Sequence, residues 1–454
     1  CFAAPVIEPV CITALKALSW RKFILSPFGQ SYLFSINSSN NYICLMIKPT
    51  DSVCAWHRLG WVLGKQLFSV AEARQFAKRR LPRMMFDFID GASGDESLRD
   101  LNSAMIDHIR LMPRVLIDIS ERAMSTSILG QETGLPFGIA PMGMCALSWP
   151  GADFSLARGA AKRRIPLCVS TASSMALEQA IKLAEGHAWF QLYADQSNGF
   201  VDELIDRAIA ADYKVLILTV DVPIPSVRTR DKRNGFSFPM NWGASQIWDF
   251  ASHPRWSLET ALHAIRHQMP KPMNYATSSQ KTTFVRNASR AGADWNFLVT
   301  LRDRWPGKLV VKGVQSVEDA LRIKTIGADA IYVSNHGGRQ LNAAPVAIDS
   351  LVEIRNAVGG AFPLIFDGGI RNGEHVIKAL AAGADFVMLG RSVMYGLGAG
   401  GAAGLAQILD LIEAEASSVM GLLGCRNVAE LGAANLAGNY ETLMLRTMLE
   451  RAAE

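Results

Sequence analysis

A histidine, two glycines and an arginine stand together at residues 336–339, directly after the apolar run Ala330-Ile331-Tyr332-Val333-Ser334. A neutral imidazole is the usual proton acceptor near pH 7. An arginine offers a planar fork of donors that matches a carboxylate or a phosphate. Glycines let the main chain turn sharply and approach a bound molecule closely. The preceding run is β-branched and apolar, as in a buried strand. These residues predict a base and an anion clamp just past a strand end. Taken alone, the segment also admits a lesser alternative, a polar strand-to-helix loop with an internally bonded histidine.

The elements that must position this group repeat along the chain. Short apolar strands are predicted at about 136–142, 165–171, 188–194, 214–221, 309–314, 330–336, 363–369 and 386–391. Helical stretches separate most of them, for example 178–184, 201–211, 317–326 and 373–382. Ser69 is a candidate cap for a helix over 70–81, and a Pro-started helix follows, ending at Gly91. Alternating strands and helices in this number predict an α/β chain, a parallel (β/α)8 barrel. An open doubly wound sheet would carry a G-x-G-x-x-G turn after its first strand, and none is present. Polar residues collect where the strands end: Ser170 and Thr171, Gln191 and Tyr193, Thr219 and Asp221, Lys312, Ser334 and His336, Asp367, Gly390 and Arg391. In a barrel these ends share one face, the face that carries chemistry.

With 454 residues, 49% hydrophobic and 19% charged, the chain has a globular composition and room for one large domain plus an extension. A net charge of +5 gives no general nucleic-acid role. The seven cysteines show no metal-binding spacing, so no metal site is predicted. Their scatter beyond residue 54 favours a reducing, cytoplasmic compartment. No apolar run reaches about 18 residues, so no transmembrane helix is expected. Residues 1–66 read as a poorly patterned N-terminal extension ahead of a domain over 67–454. The chain starts with Cys, which suggests a fragment or a mis-set gene start, with a targeting extension as the alternative.

The stretch 222–296, after the fourth strand, is unusually long for a loop. It contains Trp242, Trp248, Phe250, Trp256, Met269, Met273, Tyr275 and Phe284, and between 241 and 290 six Lys or Arg face only Asp249 and Glu259. Basic residues mixed with exposed aromatics, the tryptophans among them, suit an anionic membrane surface. This would make the protein peripheral on the inner face of the cytoplasmic membrane. A lid or a subunit contact is the equal alternative.

Several segments together resemble the FMN-dependent L-2-hydroxy acid dehydrogenase and oxidase family, which includes glycolate oxidase, L-lactate dehydrogenase and mandelate dehydrogenase. They are Ser334-Asn335-His336-Gly337-Gly338-Arg339-Gln340-Leu341, Phe190-Gln191-Leu192-Tyr193, Leu218-Thr219-Val220-Asp221-Val222, Val311-Lys312-Gly313, Phe366-Asp367-Gly368-Gly369-Ile370-Arg371 and Leu389-Gly390-Arg391. The resemblance spans roughly residues 69–440. Ser170-Thr171-Ala172-Ser173, 146–150 and 253–258 look most like the bacterial mandelate dehydrogenase branch.

The resemblance implies roles. Arg228 and Arg339 would clamp the carboxylate of a 2-hydroxy acid, and Tyr193 would bond its hydroxyl. His336 would be the base, with Asp367 orienting it. FMN would lie along Pro141, Met142 and Gly143, with Ser170, Gln191 and Thr219 on its polar edge. Lys312 would place positive charge near the reducible ring. Ser334, Asp367 and Gly369 would meet the ribityl chain and its surroundings, and Arg371, Gly390 and Arg391 the phosphate. The electron acceptor would be a quinone or O2, and the assembly a homotetramer. In one departure, Phe88 stands where the family usually has a Tyr that donates to the substrate carboxylate. Gly143 and Ala172 are small and would leave room for a bulky acid. Two rivals remain: an oxidase using O2, and a non-catalytic flavin-binding or membrane-docking protein. A fused haem domain is not expected, since residues 1–66 contain one histidine, His57.

Overall fold

Eight short runs of branched and aromatic residues become the eight parallel strands of a closed barrel. In the computed structural model, the described residues are 66–194, 199–237, 243–267, 270–275 and 292–438, with the backbone of three strands in the first 65. Those three, β1 (Trp20–Leu25), β2 (Ser31–Ile36) and β3 (Tyr42–Ile47), form an antiparallel sheet in that order. They belong to a unit of their own, Cys1–Lys65, and the second unit is Gln66–Glu454. No single period runs through the first segment, which is why its strands are not legible as a pattern.

The second unit opens with helices whose ends obey capping chemistry. The Ser69 hydroxyl accepts from Glu72 N at 3.0 Å and starts the helix Val70–Arg80. The next helix, Arg83–Asp90, begins after Pro82 and ends at Gly91. A hairpin follows, β4 (Thr126–Ile128) and β5 (Gln131–Thr133). The barrel strands are β6 (Phe137–Met142), β7 (Leu167–Ser170), β8 (Ala188–Tyr193), β9 (Val215–Thr219), β10 (Lys308–Val314), β11 (Ala330–Val333), β12 (Leu364–Phe366) and β13 (Phe386–Leu389). They pair in sequence order, and β13 closes on β6. Every predicted strand segment overlaps one of them, and β10 begins one residue before its predicted start, at Lys308.

Side chains alternate across each strand. The inward set includes Ala140, Cys168, Trp189, Val215, Ile217, Val310, Tyr332, Ile365 and Phe386, and it forms an apolar cluster separate from the larger one between barrel and helices. Ile128 of the hairpin joins the inner cluster, and Trp189 Nε1 donates to Gln131 Oε1 at 2.7 Å. The hairpin therefore plugs the N-terminal end of the barrel, and the chemistry is left to the other end. Its three-residue strands are too short to show a period.

The final helix, Arg391–Leu422, breaks at Gly400–Gly401, where Gly401 has φ +60 and lies against the Trp149 ring. Among the described residues it is the one helix long and apolar enough to cross a membrane, and 67% of its apolar stretch is buried within the domain. That burial is the behaviour of a core helix.

The insertion after β9 is not a bare loop. It holds helices Thr229–Arg233, Ala244–Ala251 and Pro254–His267 and a short 3-10 turn, Met273–Tyr275. Trp256 is buried and donates to Ser148 O at 3.1 Å, which corrects the expectation of an exposed tryptophan there. Trp248 is 76% exposed and Ile265 82%, with Ile247, Leu258 and Leu262 also open. Trp242, Met269, Phe284, Lys281, Arg286 and Arg290 lie outside the described residues.

Candidate active site

The C-terminal ends of the barrel strands surround a cavity of about 330 Å³, a usual size for a small-molecule site. Pro141, Met142, Gly143, Tyr193, Arg228, Lys312, His336, Arg339, Asp367, Gly369, Arg371, Gly390 and Arg391 all line it, and Phe88 completes one wall. Residues from across the whole chain thus converge, as a barrel requires.

His336 follows β11 by three residues, and there the backbone turns left-handed: φ is +57 at His336, +62 at Gly337 and +74 at Gly338. A non-glycine residue in that region marks a constraint. The turn carries the imidazole towards β9, where Nδ1 lies 3.0 Å and 3.1 Å from the two oxygens of Asp221. The resemblance implies Asp367 in this place; the structure puts Asp221 there instead. Asp367 faces into the barrel, where it accepts from Tyr332 Oη at 2.7 Å and from the Ser334 hydroxyl, with Lys312 Nζ at 3.7 Å. Both acids end strands, so their position in sequence does not tell them apart; the reversed backbone at His336 does.

Gly313 makes room for the pair, because a Cβ on it would lie 2.5 Å from Cβ and Cγ of Asp221. Burial lowers the His336 pKa below its ordinary value, although Asp221 pulls it up. Burial also works against the Asp221 carboxylate, but His336 and Lys312 outweigh it and keep its pKa low. The result is a neutral imidazole held by an anion, poised to take a proton.

Arg339 is held from behind. It donates to Phe88 O at 2.9 Å and Gly91 O at 2.7 Å, carbonyls at the end of the helix Arg83–Asp90. The Ser226 hydroxyl donates to Arg339 O at 2.6 Å and accepts from Arg228 Nε at 3.2 Å, which ties the Arg228 guanidinium to the backbone of Arg339 through one residue. Phe88 stacks on Phe236 with ring centroids 4.8 Å apart. Sequence reading missed Asp221 as the partner of His336, and missed Ser226 and Phe236 altogether. Asp221 ends a strand and was visible; Ser226 and Phe236 lie in the insertion, where no period placed them.

Ser170, Gln191, Thr219 and Ser334 form a buried polar layer at the same end of the barrel. Ser170 donates to Gln191 Oε1 at 3.0 Å, and Lys312 Nζ donates to Ser334 Oγ at 2.9 Å. Burial alone would push Lys312 down, but Asp367 and Asp221 hold it above its ordinary value, a fixed cation. Gln191 Nε2 and Thr219 Oγ1 are buried with no protein partner. Buried polar atoms are normally satisfied, so this layer fits a polar ligand edge. Across the cavity, Arg391 opens the last helix after Gly390. Burial pushes its guanidinium down to about 9, and the neighbouring Arg339 and Arg371 charges add to that. Clustered cations at a helix N-terminus fit a phosphate.

The family model for the FMN-dependent dehydrogenases matches residues 77–438. This chain belongs to the FMN-dependent dehydrogenase family. It is similar to (S)-mandelate dehydrogenase of Pseudomonas putida, 37% identical over 81% of this chain and 93% of that protein. It is also similar to L-lactate dehydrogenase of Chromohalobacter salexigens, 35% identical over 83% of this chain and 97% of that protein. A crystal structure of the monotopic membrane protein (S)-mandelate dehydrogenase superposes with a TM-score of 0.77, at 35% identity, covering 83% of this chain and all of the other. A mandelate oxidase mutant with (S)-mandelic acid gives 0.69 at 33% identity, over 82% of this chain and 98% of the other. FMN is therefore the cofactor of this dehydrogenase, an oxidoreductase of the 2-hydroxy acid type, and the unpartnered Gln191 and Thr219 and the arginine cluster fit its ring edge and phosphate.

Proposed function

We propose that this dehydrogenase oxidises an L-2-hydroxy acid of the mandelate or lactate type to the 2-oxo acid. Of the two, the bulkier, apolar side chain of a mandelate-like acid is favoured. The carrying observation is the meeting of the His336–Asp221 pair, Tyr193, Arg228 and Arg339 around one cavity. Arg228 and Arg339 bind the carboxylate through charge-assisted bonds. Tyr193 bonds the hydroxyl and orients it. His336 accepts a proton from the substrate, and Asp221 stabilises the imidazolium that results. Lys312, Ser170, Gln191 and Thr219 hold the ring edge of FMN; Ser334 and Asp367 fix Lys312 from below. Gly369, Arg371, Gly390 and Arg391 hold the phosphate. When bound, FMN supplies the two-electron acceptor.

A large, apolar substrate suits the walls. Phe88, Phe236, Met142, Met144 and Leu147 line the cavity, and Gly143 abuts Ala172 so closely that an added Cβ would come within 2.9 Å of the alanine. Phe88→Tyr is expected to tighten binding of 2-hydroxy acids about tenfold, the value of one bond of ~1.4 kcal/mol. Titration of substrate-dependent flavin reduction measures it. Equal affinities for several acids would mean that the Phe88–Phe236 stack has rebuilt this wall.

The electron acceptor is proposed to be a membrane quinone. The insertion helices Ala244–Ala251 and Pro254–His267 expose Ile247, Trp248, Leu258, Leu262 and Ile265 beside Arg255 and Arg266, a composition suited to an anionic bilayer surface. The similar mandelate dehydrogenase is described as a monotopic membrane protein. The oxidase reading is supported by the likeness to mandelate oxidase. One experiment separates them: substrate-reduced enzyme is mixed with anionic vesicles and reoxidised with a soluble quinone or with air. The expected result is co-sedimentation that weakens in high salt without vanishing, and faster reoxidation by quinone. Faster reoxidation by air with no sedimentation would make the protein a soluble oxidase.

A further inference from the structure

One short helix joins the insertion to the substrate clamp. The helix Arg83–Asp90 begins after Pro82, which provides no capping side chain, and the first N–H groups of a helix have no partner within it. Here the partner comes from the insertion. Asp249, on the helix Ala244–Ala251, accepts from Arg83 N at 2.9 Å with one oxygen and from Met84 N at 3.0 Å with the other. A carboxylate at this end is also favoured by the helix dipole. His253 lies 3.6 Å from the same carboxylate.

At its other end, the same helix meets the clamp. Its terminal carbonyls accept from Arg339, at Phe88 O and Gly91 O, and from Arg391, at Gly91 O with a length of 2.8 Å. The helix also carries Phe88 on the cavity wall. Eight residues rise about 12 Å, so a single rigid rod of about two helical turns connects Asp249 to Arg339. A displaced N-terminus tilts the rod and moves the carbonyls that aim the guanidinium.

We propose that Asp249 is a positioning residue for the substrate carboxylate clamp: it caps this helix from a distant part of the chain and thereby sets where Arg339 and Phe88 stand. The insertion is then part of the substrate site as well as a surface element. This rests on the carboxylate-clamp reading given above. It also changes what removal of the helices Ala244–Ala251 and Pro254–His267 does, since that deletion takes away the cap and weakens substrate binding even though Arg228, Arg339, His336 and Asp221 remain.

The test uses full-length holoenzyme carrying Asp249→Ala, Asp249→Asn or, as a control, Asp294→Ala. Asp294 caps the helix Trp295–Arg304 through Phe297 N at 2.9 Å, so its loss is the same chemical change at a helix with no part in the clamp. Three quantities are read: the Kd of phenylacetate, a carboxylate that cannot be oxidised at the hydroxyl position, from the flavin absorbance; the half-saturation and limiting rate of anaerobic flavin reduction by (S)-mandelate; and the thermal midpoint. Asp249→Ala is expected to raise Kd and half-saturation about fivefold, the size of a lost cap. The limiting rate should stay within about twofold, because the interaction lost is one of ground-state binding. Asp249→Asn, which retains one accepting oxygen, falls between, and it carries the test if the alanine variant does not fold. Asp294→Ala lowers the midpoint and leaves both constants unchanged. Wild-type constants in both Asp249 variants, or an equal shift in Asp294→Ala, would overturn the inference alone. A wild-type protein that neither binds phenylacetate nor is reduced by any 2-hydroxy acid would overturn the clamp reading and this inference with it.

Discussion

Replacing His336 with Gln is expected to abolish reduction of the flavin by a 2-hydroxy acid while FMN stays bound. The side chain removed is the imidazole that stands in the cavity against an anionic partner, at 3.0 Å from Asp221. The groups proposed to hold FMN lie elsewhere: Lys312 and the polar layer on one side, Arg371 and Arg391 on the other. A positioned general base contributes about 10²–10⁴-fold, so stopped-flow reduction should slow by at least the lower figure with the flavin content unchanged. Retention of more than about a tenth of the rate would contradict the assignment. Loss of FMN instead would show that His336 acts in cofactor binding.

The second large effect is expected at Asp221. Asp221→Asn leaves the shape of the pair but removes the anion that stabilises a protonated imidazole. By analogy with other His–Asp pairs, the limiting rate should fall by up to about 10⁴-fold. The pH profile supplies an independent sign. His336 works in its neutral form, and burial already lowers its pKa below the ordinary value. The wild-type rate should therefore be level through neutral pH and fall only in acid. Asp221 opposes that lowering, so its neutralisation moves the acid limb to still lower pH. A limb that moves upward, or one that shifts in Asp367→Asn and not in Asp221→Asn, would mean that the pairing is wrong.

This choice between two aspartates marks where sequence reasoning stops. The eight barrel strands were legible because each is a short β-branched or aromatic run, and the polar residues at their ends were legible as one face. Which of those polar residues touch depends on the turn after each strand. Asp367 follows β12 without reversal and points inward to Tyr332 and Ser334. His336 stands in a left-handed turn and reaches across to β9. No local pattern in His336-Gly337-Gly338 says in which direction the ring swings. Hairpin β4–β5 escaped notice because three-residue strands have no period, yet Ile128 and Gln131 plug the barrel's lower end. In the insertion, composition suggested a surface segment. Trp256 and Asp249 instead face the domain, since burial by a distant part of the chain leaves no trace in the local sequence.

The proposed reaction removes two protons and two electrons from an L-2-hydroxy acid bound in the cavity. Anaerobic mixing of the yellow enzyme with L- and D-enantiomers of mandelate and lactate tests this most directly, with absorbance of the bound flavin as the readout. The account predicts full bleaching by an L-acid, saturating with concentration, with mandelate giving the tighter half-saturation and the D-enantiomers leaving the spectrum oxidised. A flavin that stays oxidised with every acid, or that bleaches equally with both hands, would contradict it.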